Sequence, residues 1–144
     1  MQTFLPYPDF RKTAACLDYR RLGKQRIEAY QILQTLQDEQ RRGWRNHPAV
    51  LMWRGYEDAL KLYMNTIIDE WVARGFRNTM ERASLPESPR MPPWLGDPAF
   101  HASHRANLLR KDPTFYGRYG WPESPELPYV WPVSHAPERP TSRA

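Results

Sequence analysis

The stretch Pro48-Ala49-Val50-Leu51-Met52-Trp53-Arg54-Gly55-Tyr56-Glu57-Asp58-Ala59-Leu60-Lys61-Leu62-Tyr63-Met64-Asn65-Thr66-Ile67-Ile68-Asp69-Glu70-Trp71-Val72-Ala73-Arg74-Gly75 decides the fold class. Val50, Trp53, Tyr56, Leu60, Tyr63, Ile67 and Trp71 recur every three or four residues, the period of one helix face. Pro48 suits a first helical turn and Gly75 a stop, so the spacing predicts a helix over 48–74. Upstream, Leu17, Ile27, Ile32, Leu33 and Leu36 form a second stripe. With Thr13 as its cap, that stripe predicts a helix from Thr13 to about Gln40. Gly23 weakens it by about 1 kcal/mol relative to alanine, and marks a kink or a close approach by another group. A third, shorter helix fits Pro98 to Lys111, closed by Asp112-Pro113. Ser84 to Gly96 reads as a Pro-rich connection, and no segment alternates as a strand. The expected architecture is all-α: a single compact domain over residues 1–133, with three main helices and long Pro-rich loops. A polar, disordered tail over 134–144 is expected to follow.

A chain of 144 residues can bury a hydrophobic core. Lys and Arg number 21 against 16 acidic residues, a net charge of +5. That excess suits a polyanionic partner, and equally a solvated basic surface. The aromatic share of 13% serves either a core or platforms on which bases stack. The single cysteine, Cys16, excludes an internal disulfide and a multi-cysteine zinc site, and fits a reducing compartment. No basic region followed by an apolar run opens the sequence, and no stretch approaches the roughly 18 apolar residues of a membrane helix. A cytoplasmic protein with no membrane association is therefore expected. No P-loop, dinucleotide fingerprint or nucleophile elbow is present, which excludes NTPases, Rossmann enzymes and α/β-hydrolases.

The segment Asp18-Tyr19-Arg20-Arg21-Leu22-Gly23-Lys24-Gln25-Arg26-Ile27-Glu28 carries the first candidate chemistry. Traced backward from Leu36 and Ile32, one helix face passes through Glu28, Gln25 and Arg21. An apolar stripe thus turns polar toward its N-terminal end. An inward-facing Glu28 fits a cleft wall that tunes a carboxylate. It fits equally a buried ion pair with Arg21 or Lys24. Lys24 is either a solvated lysine or an amine nucleophile able to attack a sugar carbon.

Two further segments combine cations with aromatics. Arg41-Arg42-Gly43-Trp44-Arg45-Asn46-His47 leads into a helix N-terminus and suits a phosphate, or is an exposed loop with Trp44 packed back. His104, Arg105, Arg110 and Lys111 precede Asp112-Pro113-Thr114-Phe115-Tyr116-Gly117-Arg118-Tyr119-Gly120-Trp121, a composition suited to stacking and backbone contact, or to covering a small core. His101 and His104 are one helical turn apart, but no third ligand is spaced to complete a metal site, so no metal is expected.

These residues resemble the pyrimidine-dimer DNA glycosylases, the small repair enzymes of the phage endonuclease V type. The likeness runs through Tyr19-Arg20-Arg21-Leu22-Gly23-Lys24, then Ala73-Arg74-Gly75-Phe76, then Ser103-His104-Arg105-Ala106 and Lys111 to Gly120, over roughly residues 13 to 121. It extends to uncharacterised bacterial relatives that share the Arg-Leu-Gly-Lys-Gln-Arg and Trp-Arg-Asn-His-Pro stretches.

The resemblance implies a monomeric, mostly helical domain that binds and kinks duplex DNA and needs no cofactor. It would cut an N-glycosidic bond and then the strand through an imine. The family's nucleophile is an N-terminal amine exposed by removal of the initiator Met, which needs a small second residue. Here that residue is Gln2, so Met1 is expected to remain. The family's catalytic Glu falls on Arg21, and its phosphate-gripping cations fall on Arg20 and Lys24.

Glu28 lies about two turns beyond Arg21, roughly 10 Å along the axis, on the same face. It could supply the carboxylate, activating water or stabilising an oxocarbenium-like sugar. Lys24 or the Met1 amine would be the alternative, forming an imine. Catalysis is therefore expected from Glu28, Lys24 and Arg21. DNA contact is expected from Arg20, Arg26, Trp44, Arg45, Asn46, His47, His104, Arg105, Lys111, Tyr116, Arg118 and Tyr119. A non-catalytic nucleic-acid-binding module on the same scaffold is the competing reading. A basic surface that meets another protein is a third.

Overall fold

The computed structural model describes residues 1–38, 40 and 43–133. Among them are six α-helices: α1 (Phe10–Cys16), α2 (Tyr19–Gln37), α3 (Pro48–Leu51), α4 (Glu57–Ala73), α5 (Pro98–Lys111) and α6 (Pro113–Tyr116). A 3₁₀ turn, Gly117–Tyr119, follows α6, and no strand occurs among the described residues. The fold is all-α, and α2, α4 and α5 are its three long helices. The expected tail over 134–144, with Arg41 and Arg42, lies outside the described residues.

The helix expected from Thr13 to Gln40 is two helices, because two aspartates compete successfully as caps. Asp9 accepts hydrogen bonds from the Arg11 and Lys12 amides and starts α1, which places Thr13 inside the helix. Thr13 instead donates its hydroxyl to the Tyr7 carbonyl. Leu17 then turns extended and drops into the core, and Asp18 caps α2 through the Arg21 amide. The helix expected over 48–74 is also broken. Gly55 takes φ +87°, a left-handed conformation open to glycine, and α4 restarts with Glu57 and Asp58 in its first turn. Only α5 has the expected bounds, with Asp97 as cap, Pro98 at its first position, and Arg110 and Lys111 in its last turn.

The core forms where α2 lies against α4. Leu22, Ala29, Ile32 and Leu33 of α2 meet Leu60, Tyr63, Met64, Ile67 and Ile68 of α4. Phe10 and Ala14 of α1 close one end, while Phe100, Leu108 and Leu109 of α5 supply the remaining wall. The Pro-rich connection is pinned by side chains. Asn65 exchanges two hydrogen bonds with the Ala83 backbone, at 2.8 and 2.9 Å, and Trp94 donates to the Met52 carbonyl. Asp18 ties α2 to α6: its amide donates to the Tyr116 hydroxyl, and its carboxylate accepts from the same hydroxyl.

Gly23 marks a close approach. A Cβ there would lie 2.9 Å from Cζ3 and 3.0 Å from Cη2 of Trp71. The indole is held on every side: it stacks on Phe76, carries the Arg26 guanidinium, and donates its N–H to the Arg77 carbonyl. Gly23→Ala should therefore destabilise, because displacing a held ring costs ~1–3 kcal/mol and outweighs the ~1 kcal/mol gained in helix propensity. Urea denaturation is expected to show a net loss of about 1 kcal/mol, and a gain in stability would contradict the contact.

Candidate active site and nucleic-acid face

Residues 2–6 run through the protein with neither helix nor strand, and Thr3, Phe4, Leu5 and Pro6 are buried. Backbone groups buried in that way require partners, and here side chains supply them. Gln25 is the hub. Its Oε1 accepts from the Phe4 amide at 3.0 Å and the Tyr63 hydroxyl at 2.7 Å, and its Nε2 donates to the Gln2 carbonyl at 3.0 Å. The Tyr63 hydroxyl sits 2.8 Å from the Phe4 carbonyl, and the Trp53 indole donates to the Thr3 hydroxyl. His104 Nδ1 accepts from the Leu5 amide at 2.9 Å, while His101 Nδ1 lies 2.7 Å from the Leu5 carbonyl. Arg105 donates to the Pro6 carbonyl.

Glu28 joins this network at its outer edge. Oε1 accepts from the Gln2 main-chain N–H at 2.9 Å, and Oε2 accepts from Gln25 Nε2 at 3.4 Å. The Gln2 side chain continues the network to Asn107 and to the Tyr129 hydroxyl. Arg21 does not neutralise Glu28; it pairs with Asp18 at 3.1 Å. Lys24 is exposed. Among the described residues Glu28 forms no ion pair, so a hydrogen-bonded but uncompensated carboxylate remains beside the Gln2 backbone.

Met1 links this cluster to a cavity of about 520 Å³, which Ile27, Tyr30, Gln31, Gln34, Thr35, Gly43 and Trp44 also line. That volume is typical of small-ligand sites. Trp44 stands at its edge with φ +70° and 60% of its surface exposed. A bulky residue in the left-handed region is strained, and such strain gathers at functional positions.

The residues expected to touch DNA divide by exposure. Arg20, Trp44, Asn46, Lys111, Arg118 and Tyr119 are exposed, and the Arg118 guanidinium lies 4.0 Å from the Phe115 ring centroid. The Tyr119 hydroxyl is nevertheless engaged by the Cys16 carbonyl. Arg26 is half-buried on Trp71 and donates to Asn78. The others are drawn into structural roles. His104 and Tyr116 are fully buried, so neither can reach a phosphate or a stacked base as expected. Arg45 donates to the Thr35 and Asp38 carbonyls, completing the end of α2. Arg105 pairs with Glu123 at 2.7 Å, and that bond holds the Glu123 carboxyl below its ordinary range. His47 Nδ1 caps α3 through the Ala49 amide. The composition of these segments was compatible with either role, and burial decided it.

Gln25, Gln2, Asn107 and Tyr129 complete the cluster around Glu28. Only Gln25 had a sequence signal, its place on the inward face of α2. No cluster of three metal-binding side chains occurs among the described residues. No helix among them is long and apolar enough to cross a membrane.

Burial lowers the His104 pKa to about 3, with His101 adding to the effect, and His101 is lowered chiefly by burial as well. A histidine whose folded pKa lies below its unfolded value takes up its proton on unfolding. Stability should therefore fall as pH drops below about 6.5, by up to ~1.4 kcal/mol per pH unit for one proton. His104→Asn keeps an acceptor for the Leu5 amide but cannot titrate. Denaturation across that pH window should show a shallower slope for the variant, and an unchanged slope would contradict a buried neutral His104.

A family model for pyrimidine dimer DNA glycosylase matches residues 1–84. The matched region holds α1 to α4, together with Gln2, Gln25 and Glu28; α5 and the aromatic segment after it lie beyond. No curated protein and no solved structure gives a significant match. With more than half its length covered and an all-helical fold built around the matched residues, the chain belongs to the pyrimidine dimer DNA glycosylase family.

Proposed function

We propose that this protein releases a damaged base from duplex DNA by hydrolysing the N-glycosidic bond, with Glu28 as the carboxylate that acts at the sugar. The observation that carries this reading is the fixed, uncompensated Glu28 carboxylate, 2.9 Å from the Gln2 amide and linked through Met1 to the Trp44 cavity. Such a group can stabilise positive charge developing on the sugar, or take a proton from water as that water attacks the anomeric carbon. The base leaves with the electrons of the broken bond. An extruded base would enter the cavity against Trp44, with Gln31 and Gln34 offering amides to its edge. Arg20, Lys24, Lys111 and Arg118, all exposed, are assigned to phosphates, and a pyrimidine dimer is the substrate the family points to.

A second reading follows from the same contact. With Met1 retained, the free amine is that of Met1, one residue from the Gln2 amide on Glu28 and in the lining of the Trp44 cavity. That amine could form an imine with the sugar, and borohydride would then trap protein on the strand.

Glu28→Gln separates chemistry from binding, because it preserves an acceptor for the Gln2 amide while removing the charge. Base release should fall at least ~100-fold, with duplex affinity changed by less than about threefold. Unchanged release would remove Glu28 from the mechanism. A borohydride-trapped adduct whose linkage maps to the Met1 amine would favour the imine over direct hydrolysis.

A further inference from the structure

The chain from Glu123 to Val133, with neither helix nor strand, lies along α5 as a strap. Three side chains of α5 hold it: Arg105 pairs with Glu123 at 2.7 Å, Arg110 donates to the Pro125 carbonyl, and the Ser103 hydroxyl accepts from the Val130 amide at 3.1 Å. Held there, the strap delivers two aromatic rings. Tyr129 lies against the His104 imidazole, with ring centroids 4.7 Å apart, and against Trp131, also at 4.7 Å. Its hydroxyl accepts from Gln2 Nε2 at 3.2 Å. Trp131 meets His47 edge-on at 5.8 Å, and His47 meets Trp44 in the same way at 5.6 Å. One strap thus reaches both the residue that sits on Glu28 and the residue at the edge of the cavity.

Packing alone does not call for the Tyr129 hydroxyl, since phenylalanine would make the same two ring contacts. Burying a hydroxyl is costly unless it is hydrogen-bonded, and its partner here is the Gln2 side chain. Burial holds the phenol above its ordinary range, and the Glu28 charge adds to that, so the hydroxyl keeps its proton beside the carboxylate. Gln2 is fixed at three points: its amide on Glu28 at 2.9 Å, its carbonyl on Gln25 at 3.0 Å, and its side chain on Tyr129. The other side-chain contact, to Asn107 Oδ1, is 3.5 Å long, at the outer limit of a hydrogen bond. Tyr129 is therefore the main hold on that side chain.

We propose that Tyr129 is a positioning residue for the Glu28 carboxylate, acting through the Gln2 side chain. The inference rests on Glu28 being the group that acts at the sugar, and deepens that reading. The Gln2 amide orients Oε1 of Glu28, and a carboxylate turned away from the anomeric carbon loses much of its effect even though its charge remains. Tyr129→Phe keeps the ring contacts that lead through Trp131 and His47 to Trp44. The cavity wall then stands while the hold on Gln2 goes, which separates chemistry from substrate binding.

Two measurements on the full chain test this. Base release from an ultraviolet-damaged duplex should show kcat about tenfold lower in Tyr129→Phe, with KM changed less than twofold. Amide hydrogen exchange followed by nuclear magnetic resonance should show the Gln2 N–H exchanging about tenfold faster, while the Phe4 and Leu5 N–H groups, held by Gln25 and His104, keep their rates. Gln2→Met removes the same hydrogen bond from the other side, and Tyr129→Phe/Gln2→Met should lose no more activity than either single variant. Gln2→Met also carries the kinetic comparison if Tyr129→Phe melts early by circular dichroism. Additive losses, an unchanged kcat, or an unchanged Gln2 exchange rate would overturn the positioning role. A wild-type protein that releases no base would defeat the glycosylase reading, and the exchange rates would then uphold or overturn the hold on Gln2 by themselves. Release that Tyr129→Phe leaves intact would do the reverse, removing Tyr129 and leaving the glycosylase reading in place.

Discussion

The buried passage of residues 2–6 is the constraint on which the rest of the structure depends. Gln2, Phe4 and Leu5 each present both a backbone donor and an acceptor, and no strand among the described residues meets them. Each such group costs roughly 1–3 kcal/mol if left unpaired, so together they could cancel the ~5–15 kcal/mol of a typical domain. Side chains from α2, α4 and α5 converge to prevent this. Gln25, Tyr63, His101, His104 and Arg105 are committed to that task, which is why residues of such varied chemistry sit in or beside an apolar core.

That constraint also explains what the sequence concealed. Periodicity identified α2, α4 and α5, because one apolar stripe is enough to mark a helix that packs on one face. It ran across the breaks at Leu17 and Gly55, since both sides of each break still face the core. The inward orientation of Gln25 and Glu28 was legible, because burying polar groups on a helix stripe requires partners. The partner they share was not legible: the Gln2 backbone, which donates to Glu28 and accepts from Gln25, comes from a segment with no periodic signal. His104 and Tyr116 read as DNA-facing by composition, yet a neutral imidazole serving a buried amide leaves the same trace in sequence as one facing a phosphate. Gly23 was flagged as a kink or a close approach, and Trp71 shows it to be the second.

Function then follows from the way α2 divides the molecule. Its inward face carries the network that fixes Glu28, and its exposed face carries Arg20, Lys24, Ile27 and Gln31. The Trp44 cavity opens on that exposed face, with Ile27 and Gln31 in its lining. Arg21, where the resemblance places the family's carboxylate, is paired with Asp18. Glu28, two turns later, forms no ion pair among the described residues and lies beside the Gln2 backbone.

Incubating the wild-type protein with an ultraviolet-damaged duplex and counting abasic sites tests that central claim most directly. Abasic sites should accumulate in the damaged duplex and not in an undamaged copy of the same sequence. Tight, salt-sensitive binding of the damaged duplex, with no base released from it or from duplexes carrying other lesions, would contradict a catalytic role for the Glu28 cluster.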